Sequence, residues 1–354
     1  MVLNLATDVV TLAAAICDIE SVSRQEAMLA DLIEDQLRTR SHLELTRMGN
    51  TLVARTELGR PDRVVIAGHL DTVPLSDPPN LPTRLIGEDL WGRGTVDMKG
   101  GVAVALRLAH QLTTPTRDIT FVFYEGEEID SEFNGLSHIE QRRPELINDA
   151  GFAVLMEPTD GRIEGGCKGT LRVEVAAKGI AAHSARPWTG HNAIHEAAGI
   201  LDILRSYEPR IVHVDGLVYR EALNAVKIAG GIAGNVIPDR AVVTVNYRYA
   251  PDRGADEAEA HLRALFAGFA VTVTDNAAGA RPGLDQPAAR AFVDALAVPV
   301  AAKEGWTDVA RFFAMGIPAV NFGPGDPQLA HHDQERCPVA QIVAAETAML
   351  RWLA

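Results

Sequence analysis

The 354-residue chain is poor in cysteine, in aromatic residues and in basic charge, and it carries no long apolar run. Its three cysteines, Cys17, Cys167 and Cys337, lie far apart and form no Cys-x-x-Cys pair. An odd number cannot pair completely within one chain, which argues against a disulfide framework and for a reducing compartment. Each thiol is expected to be a small buried hydrophobe. Aromatic residues make up only 5% of the chain, so binding by ring stacking is not expected. The 33 Lys and Arg are outnumbered by 47 Asp and Glu, for a net charge of −14. Nucleic acid is therefore not an expected partner, because phosphate binding needs clustered cations. A small anionic substrate, which needs only a few well-placed cations, stays compatible with this balance. No stretch of 18 apolar residues occurs, so no membrane span and no membrane partner is expected. The apolar segment Val9–Cys17 lies between Asp8 and Asp18, without a preceding basic region or a small-residue cleavage site. It reads as an amphipathic first helix rather than a signal peptide, and a cytoplasmic location is the expectation.

What the chain does have is a two-part pattern, and its length suits two domains. Arg63–Gly68, Ile119–Tyr124, Phe152–Met156 and Pro318–Phe322 are short apolar runs without strict alternation. They read as strands covered on both faces. Helical patterns at Gln25–Arg38, Gly101–Leu112 and Val339–Leu353 lie between or after them. This alternation predicts an α/β domain with helices on both faces of a mostly parallel sheet. In the middle of the chain, Leu171–Ala177, Ala225–Gly230, Ala241–Tyr249 and Ala270–Thr274 alternate apolar with polar or small residues. With helical stretches at Asn192–Ser206 and Ala255–Phe266, the order is strand–helix–strand–strand–helix–strand. That is the order of a ferredoxin-like α+β unit, with Arg210–Tyr219 as an excursion. The expected division is residues 1–170 and 279–354 in the α/β domain, and residues 171–278 as an insertion.

The chemistry follows the apolar strands. The first runs into His69-Leu70-Asp71, the second into Glu125-Gly126-Glu127-Glu128, and the third into Glu157-Pro158. The fourth leads through a Gly-Pro loop to Ala330-His331-His332, and a glycine-flanked loop places Asp97 just before a helix. Open α/β sheets bind ligands beyond the carboxyl ends of their strands. One such residue alone is ordinarily a cap or a solvated turn residue. Five sites of this kind, all of metal-ligating types, point to a shared centre. Carboxylates buried side by side cannot all remain ionised without cations. Two His and three carboxylates, one of them bridging, suit a pair of zinc ions in N/O coordination. The doublet leaves both His331 and His332 open as the last ligand.

Several motifs resemble a known superfamily. They are GHLDTVP (Gly68–Pro74), GRGTVDMKGG (Gly92–Gly101), FYEGEEIDSEFNGL (Phe123–Leu136), MEPT (Met156–Thr159) and NFGPGDPQLAHHDQE (Asn321–Glu335). Over essentially its whole length the chain resembles the zinc-dependent aminoacylase and carboxypeptidase superfamily that includes acetylornithine deacetylase. GIAAHSARPWTGHNAI (Gly179–Ile194), GGIAGNVIPD (Gly230–Asp239), NYRYAPDR (Asn246–Arg253) and GWTDVARF (Gly305–Phe312) are similar to its desuccinylase branch, in the form found in actinobacteria. The resemblance implies a zinc-exopeptidase-like domain carrying a ferredoxin-like dimerisation lid. It implies two Zn2+ per subunit, which Co2+ can replace. Asp97 would bridge the two, His69 and Glu157 would complete one site, and Glu128 and His331 the other. Glu127 would be the general base. Asp71, two residues from His69, would orient its imidazole. His183, in a Gly-x-x-x-His pattern, would reach the partner's site in a homodimer and hold the oxyanion. Asn235 and Arg248 would hold the acyl carboxylate. A cis peptide is implied between Asp97 and Met98. The implied reaction is release of succinate from N-succinyl-LL-2,6-diaminopimelate, a small N-acyl amino acid carrying carboxylates. Acetylornithine-type deacylation is the alternative enzyme reading, and a non-catalytic binding protein on the same fold a remoter one.

Overall fold

The computed structural model describes residues 3–354. The chain forms two compact units: residues 1–165, 282–301 and 311–354 make the first, and residues 166–281 and 302–310 the second.

The first unit is built on a sheet of eight strands. In chain order these are β1 (Glu44–Met48), β2 (Thr51–Arg55), β3 (Arg63–His69), β4 (Asp118–Tyr124), β5 (Phe152–Leu155), β6 (Ile163–Gly165), β7 (Val300–Ala302) and β8 (Ala319–Asn321). Their spatial order is β1-β2-β4-β3-β5-β8-β6-β7. The four central strands, β4, β3, β5 and β8, run parallel, while β1 and β2 on one side and β6 on the other pair antiparallel. Every residue of β3, β4 and β5 is buried. Successive side chains alternate between the faces of a strand, so full burial means that both faces of the sheet are covered. The helices Val9–Cys17, Lys99–Gln111 and Val339–Leu353 contribute to the covering core.

Parallel strands place their carboxyl ends on one edge, and the loops that leave them must turn tightly to stay there. Gly101 lets the helix Lys99–Gln111 begin against the end of β5. A Cβ there would stand 2.0 Å from the main-chain oxygen of Met156. Gly126, just beyond β4, has φ of 69° and would place a Cβ 2.3 Å from the oxygen of Phe133. Only glycine fits such a site, both for its left-handed backbone and for the space.

The second unit has four antiparallel strands in the order Ala222–Gly230, Arg240–Tyr249, Gly169–Lys178, Ala270–Ala277. Two helices, Ala193–Ser206 and Ala255–Leu265, complete the ferredoxin-like order. Leu171, Val173, Val175 and Ala177 alternate inward with Val243, Val245 and Tyr247 to form its core. The excursion is a hairpin, Ile211–Val214 with Leu217–Arg220, turned by Asp215 and Gly216, both at positive φ. That is the backbone a two-residue hairpin turn demands.

The bounds differ from the sequence expectation in one instructive place. Residues 302–310 belong with the second unit. Lys168 Nζ meets Glu304 at 2.5 Å, and the Trp306 indole donates to the oxygen of Ala278 at 3.0 Å. Both contacts join residues far apart in the chain, so no local pattern announces them. Among the described residues no helix is long and apolar enough to cross a membrane.

Gly101→Ala is expected to lower stability by about 1–3 kcal/mol, the usual cost of overpacking. The obstacle is backbone, so it cannot rotate away. Chemical denaturation checks this, and an unchanged midpoint would contradict the close approach.

Candidate metal centre

His69 is the last residue of β3, and its imidazole is buried. Its Nε2 lies 3.1 Å from Asp97 Oδ1. His331 Nε2 lies 2.9 Å from Glu128 Oε1 and 3.4 Å from Asp97 Oδ2. Asp97 thus stands between two imidazoles with one oxygen toward each. Donor atoms of His69, Asp97 and Glu128 all lie within 4.8 Å of one another. Of the His doublet it is His331, at φ of 63°, that reaches this group. The His332 ring instead accepts the N–H of Gln334 on Nδ1. Glu157 is buried two residues beyond β5. Ala67 of β3 pairs with Leu155, the last residue of β5. The Asp97–Met98 peptide is cis.

Asp71 lies beside the His69 imidazole, two residues beyond the end of β3. His69 Nδ1 is 3.0 Å from the Asp71 main-chain oxygen and 3.5 Å from its Oδ1. The carboxylate spends its shorter bonds elsewhere. It accepts the N–H groups of Glu127 at 3.0 Å and Glu128 at 3.1 Å, and the Ser23 hydroxyl at 2.8 Å. Asp71 therefore holds both His69 and the turn that carries Glu127 and Glu128. Sequence reading gave Ser23 no part in this, since a serine near the amino terminus bears no signal of contact with residue 71.

The electrostatics follow from the packing. Burial works against the imidazolium of His69, but its bonds to Asp71 and Asp97 outweigh burial and hold its pKa well above the usual value. Burial also works against the Asp97 carboxylate, yet His331 and His69 hold it well below the carboxylate range. Glu128 is pushed up by burial and by the charge of Asp97, with His331 opposing. His331 is raised to about 10 by its bonds to Asp97 and Glu128. In the cation-free protein these directions favour protonated imidazoles beside the carboxylates. A divalent cation would take over that balance as ligand protons leave. Imidazole nitrogens and carboxylate oxygens are the donors that zinc and similar ions take, so the residues present fit such an ion.

The remaining expected site residues lie in the second unit. His183 is exposed on the short strand Ala182–His183, which pairs with Val236–Ile237. The oxygen of Asn235 accepts the N–H of Ser184 at 2.9 Å, so His183 and Asn235 are neighbours. Arg248 is partly buried and donates from Nε to Asn246 Oδ1 at 3.1 Å. Burial, aided by the charge of Arg172, holds its pKa below the usual guanidinium value.

The family model described as peptidase family M20/M25/M40 matches residues 65–354. The DapE protein of Mycobacterium tuberculosis is 53% identical, over 99% of this chain and 99% of its own. The succinyl-diaminopimelate desuccinylase of Corynebacterium glutamicum is 45% identical, over 99% of this chain and 97% of its own. Among solved structures, the M20 family metallo-carboxypeptidase Sso-CP2 of Sulfolobus solfataricus superposes with a TM-score of 0.77 at 16% identity, covering 98% of each chain.

Because the His331 pKa is raised on folding, its imidazolium supports the cation-free protein fully below the ordinary value. That support is lost as the pH rises through about 10. His331→Gln should therefore lower the unfolding midpoint of the cation-free protein at about pH 6 and converge with the parent near about pH 11. A midpoint difference independent of pH would contradict the pairing.

Proposed function

The chain belongs to the M20/M25/M40 peptidase family, and from that membership we propose that it is a metal-dependent amide hydrolase acting on N-succinyl-LL-2,6-diaminopimelate. The products would be succinate and LL-2,6-diaminopimelate. The observation that carries the proposal is the Asp97-centred cluster, with His69 and His331 on its two oxygens and Glu128 beside them. Full-length likeness to the Corynebacterium desuccinylase supports the choice of substrate.

His69, Asp97, Glu128, Glu157 and His331 would hold two zinc ions per subunit, or cobalt in their place. When bound, the ions supply Lewis acidity at the amide carbonyl and make water at the site more acidic. Glu127 shares its turn with Glu128 and has its main chain held by Asp71. It would take a proton from the attacking water and return it to the departing amine. His183 would donate to the oxyanion that forms as the carbonyl carbon becomes tetrahedral. Arg248 and Asn235 would hold the terminal carboxylate of the succinyl group, a task that suits a guanidinium. The partly buried Arg248 favours an acyl group ending in a carboxylate over a plain acetyl group.

His183 would serve the partner subunit of a homodimer. The second unit supports this assembly. Its sheet ends on Ala222–Gly230, where Val226 and Ile228 are exposed, and Ile232 beyond it is 87% exposed. An open strand edge with exposed apolar side chains is a ready site for pairing. The reading also places the protein in the cytoplasm, supported by three free, buried thiols.

Three experiments test these assignments. Zinc-loaded enzyme should cleave N-succinyl-LL-2,6-diaminopimelate in preference to N-acetylornithine when the two are assayed side by side. Glu127→Gln should bind zinc as the parent does and lose at least ~10²-fold in turnover. Preference for the acetyl substrate would overturn the substrate assignment, and retained turnover would remove Glu127 as the base.

The third experiment mixes subunits. Glu127→Gln and His183→Ala should each be nearly inactive alone. A heterodimer of the two should recover up to about half the parent activity, because one of its two sites has both groups intact. No recovery in verified heterodimers would mean that His183 does not act across the interface.

A further inference from the structure

A buried ion pair lies beside the cluster, on residues to which no role has been given above. Arg93 Nη1 meets Glu335 Oε2 at 2.8 Å, and the two side chains are 4% and 1% exposed. The other oxygen, Glu335 Oε1, accepts the main-chain N–H groups of Val96 at 3.0 Å and of Asp97 at 3.1 Å. The main-chain oxygen of Glu335 accepts the N–H of Gly92 at 3.0 Å. Arg93 donates from Nε to the oxygen of Pro74 at 3.1 Å, and from Nη1 to the oxygen of His332 at 3.3 Å.

These bonds tie together three loops that are far apart in the chain. One runs from His69 to Pro74, one from Gly92 to Asp97, and one from His331 to Glu335. Each carries one of the clustered residues. Asp97 has its own N–H fixed by Glu335, and His331 is four residues before that glutamate. The Arg93 fork holds the peptide oxygen next to His331 and the loop that leaves His69. A carboxylate that must lie between two imidazoles tolerates little displacement, because binding groups work only near their productive geometry.

We propose that Arg93 and Glu335 are a positioning pair that sets the spacing of Asp97 and His331, and through it the affinity and coordination of the divalent ions at the cluster. This rests on the metal-site reading above. The two residues touch neither the ions nor the substrate. They act through the main chain of Asp97 and His332, as outer partners of metal ligands do.

Glu335→Gln keeps the size and shape of the side chain. Its amide must present an NH2 either to Arg93 or to the two main-chain N–H groups, so a donor faces a donor in each orientation. Arg93→Lys keeps the charge beside Glu335. A single ammonium cannot serve Glu335, Pro74 and His332 with the geometry of the fork. Cation-free protein is titrated with Zn2+ by calorimetry and with Co2+ by visible absorption, and circular dichroism verifies folding.

The expected result is a 10- to 100-fold loss of affinity in Glu335→Gln and about a tenfold loss in Arg93→Lys, the range seen when outer partners of ligands are removed. The Co2+ absorption bands should change in both. If the parent protein binds neither ion, the metal-site reading itself fails. If the parent binds and folded Glu335→Gln matches it in affinity and spectrum, the pair only supports the fold and the inference is overturned. Should Glu335→Gln not fold, Arg93→Lys decides, and parent-like affinity and spectrum there overturn the inference. Failure of both variants to fold would also overturn it, by showing the pair to be structural.

Discussion

Charge balance at the carboxyl edge of the sheet governs this structure. Asp97 and Glu128 come together where solvent is largely excluded, and like charges in that setting cannot both persist alone. His69, at the end of β3, and His331, in the loop after β8, meet this demand, each against one oxygen of Asp97. Without a cation, the imidazoles must carry protons to do so. The same atoms would become metal ligands once those protons leave. The raised pKa values of His69 and His331 trace in part to one shared carboxylate, that of Asp97.

Holding such a group together is a backbone problem. The side chains come from the ends of parallel strands, and the segments between them must turn within a residue or two. Gly126 turns the chain so that Glu127 and Glu128 follow β4 at once, and Gly101 lets a helix start against the end of β5. Asp71 then uses its carboxylate as an anchor for main-chain N–H groups rather than only as a partner for histidine. Glu335 does the same for the loop of Asp97. Both are buried carboxylates whose cost of burial is offset by several donors each, the condition under which a buried charge is tolerated.

The second unit obeys a different rule. Its sheet alternates, with one set of side chains packed against two helices and the other set polar or small. Ile228, on the edge strand, and Ile232 just beyond it are exposed. His183, Asn235 and Arg248 all lie on this unit, so groups proposed to handle the acyl chain and the oxyanion sit on a module separate in fold from the ligands.

Much of this was legible in the residues alone. Apolar runs of the right length mark β3, β4, β5 and β8, because strands covered on both faces need continuous apolar side chains. The alternating runs mark the ferredoxin-like unit for the opposite reason. Residue types at the strand ends identify His69, Asp97, Glu128, Glu157 and His331 as one candidate group, since the parallel order sends those ends to a single edge. Tertiary structure decided the rest. The resemblance and the spacing to Glu335 already favour His331 over His332, and what the structure adds is the left-handed backbone at His331. The bonds of Asp71 to the Glu127 and Glu128 main chain, and the parts played by Ser23, Arg93 and Glu335, depend on loops brought together from across the fold. The place of residues 302–310 depends on Lys168 and Ala278, more than twenty residues away in the chain. Side-chain pattern reports which face of an element is buried. Which distant main-chain groups a buried polar side chain will meet is set only when the loops have closed, because those bonds span sequence separations that carry no periodic signal.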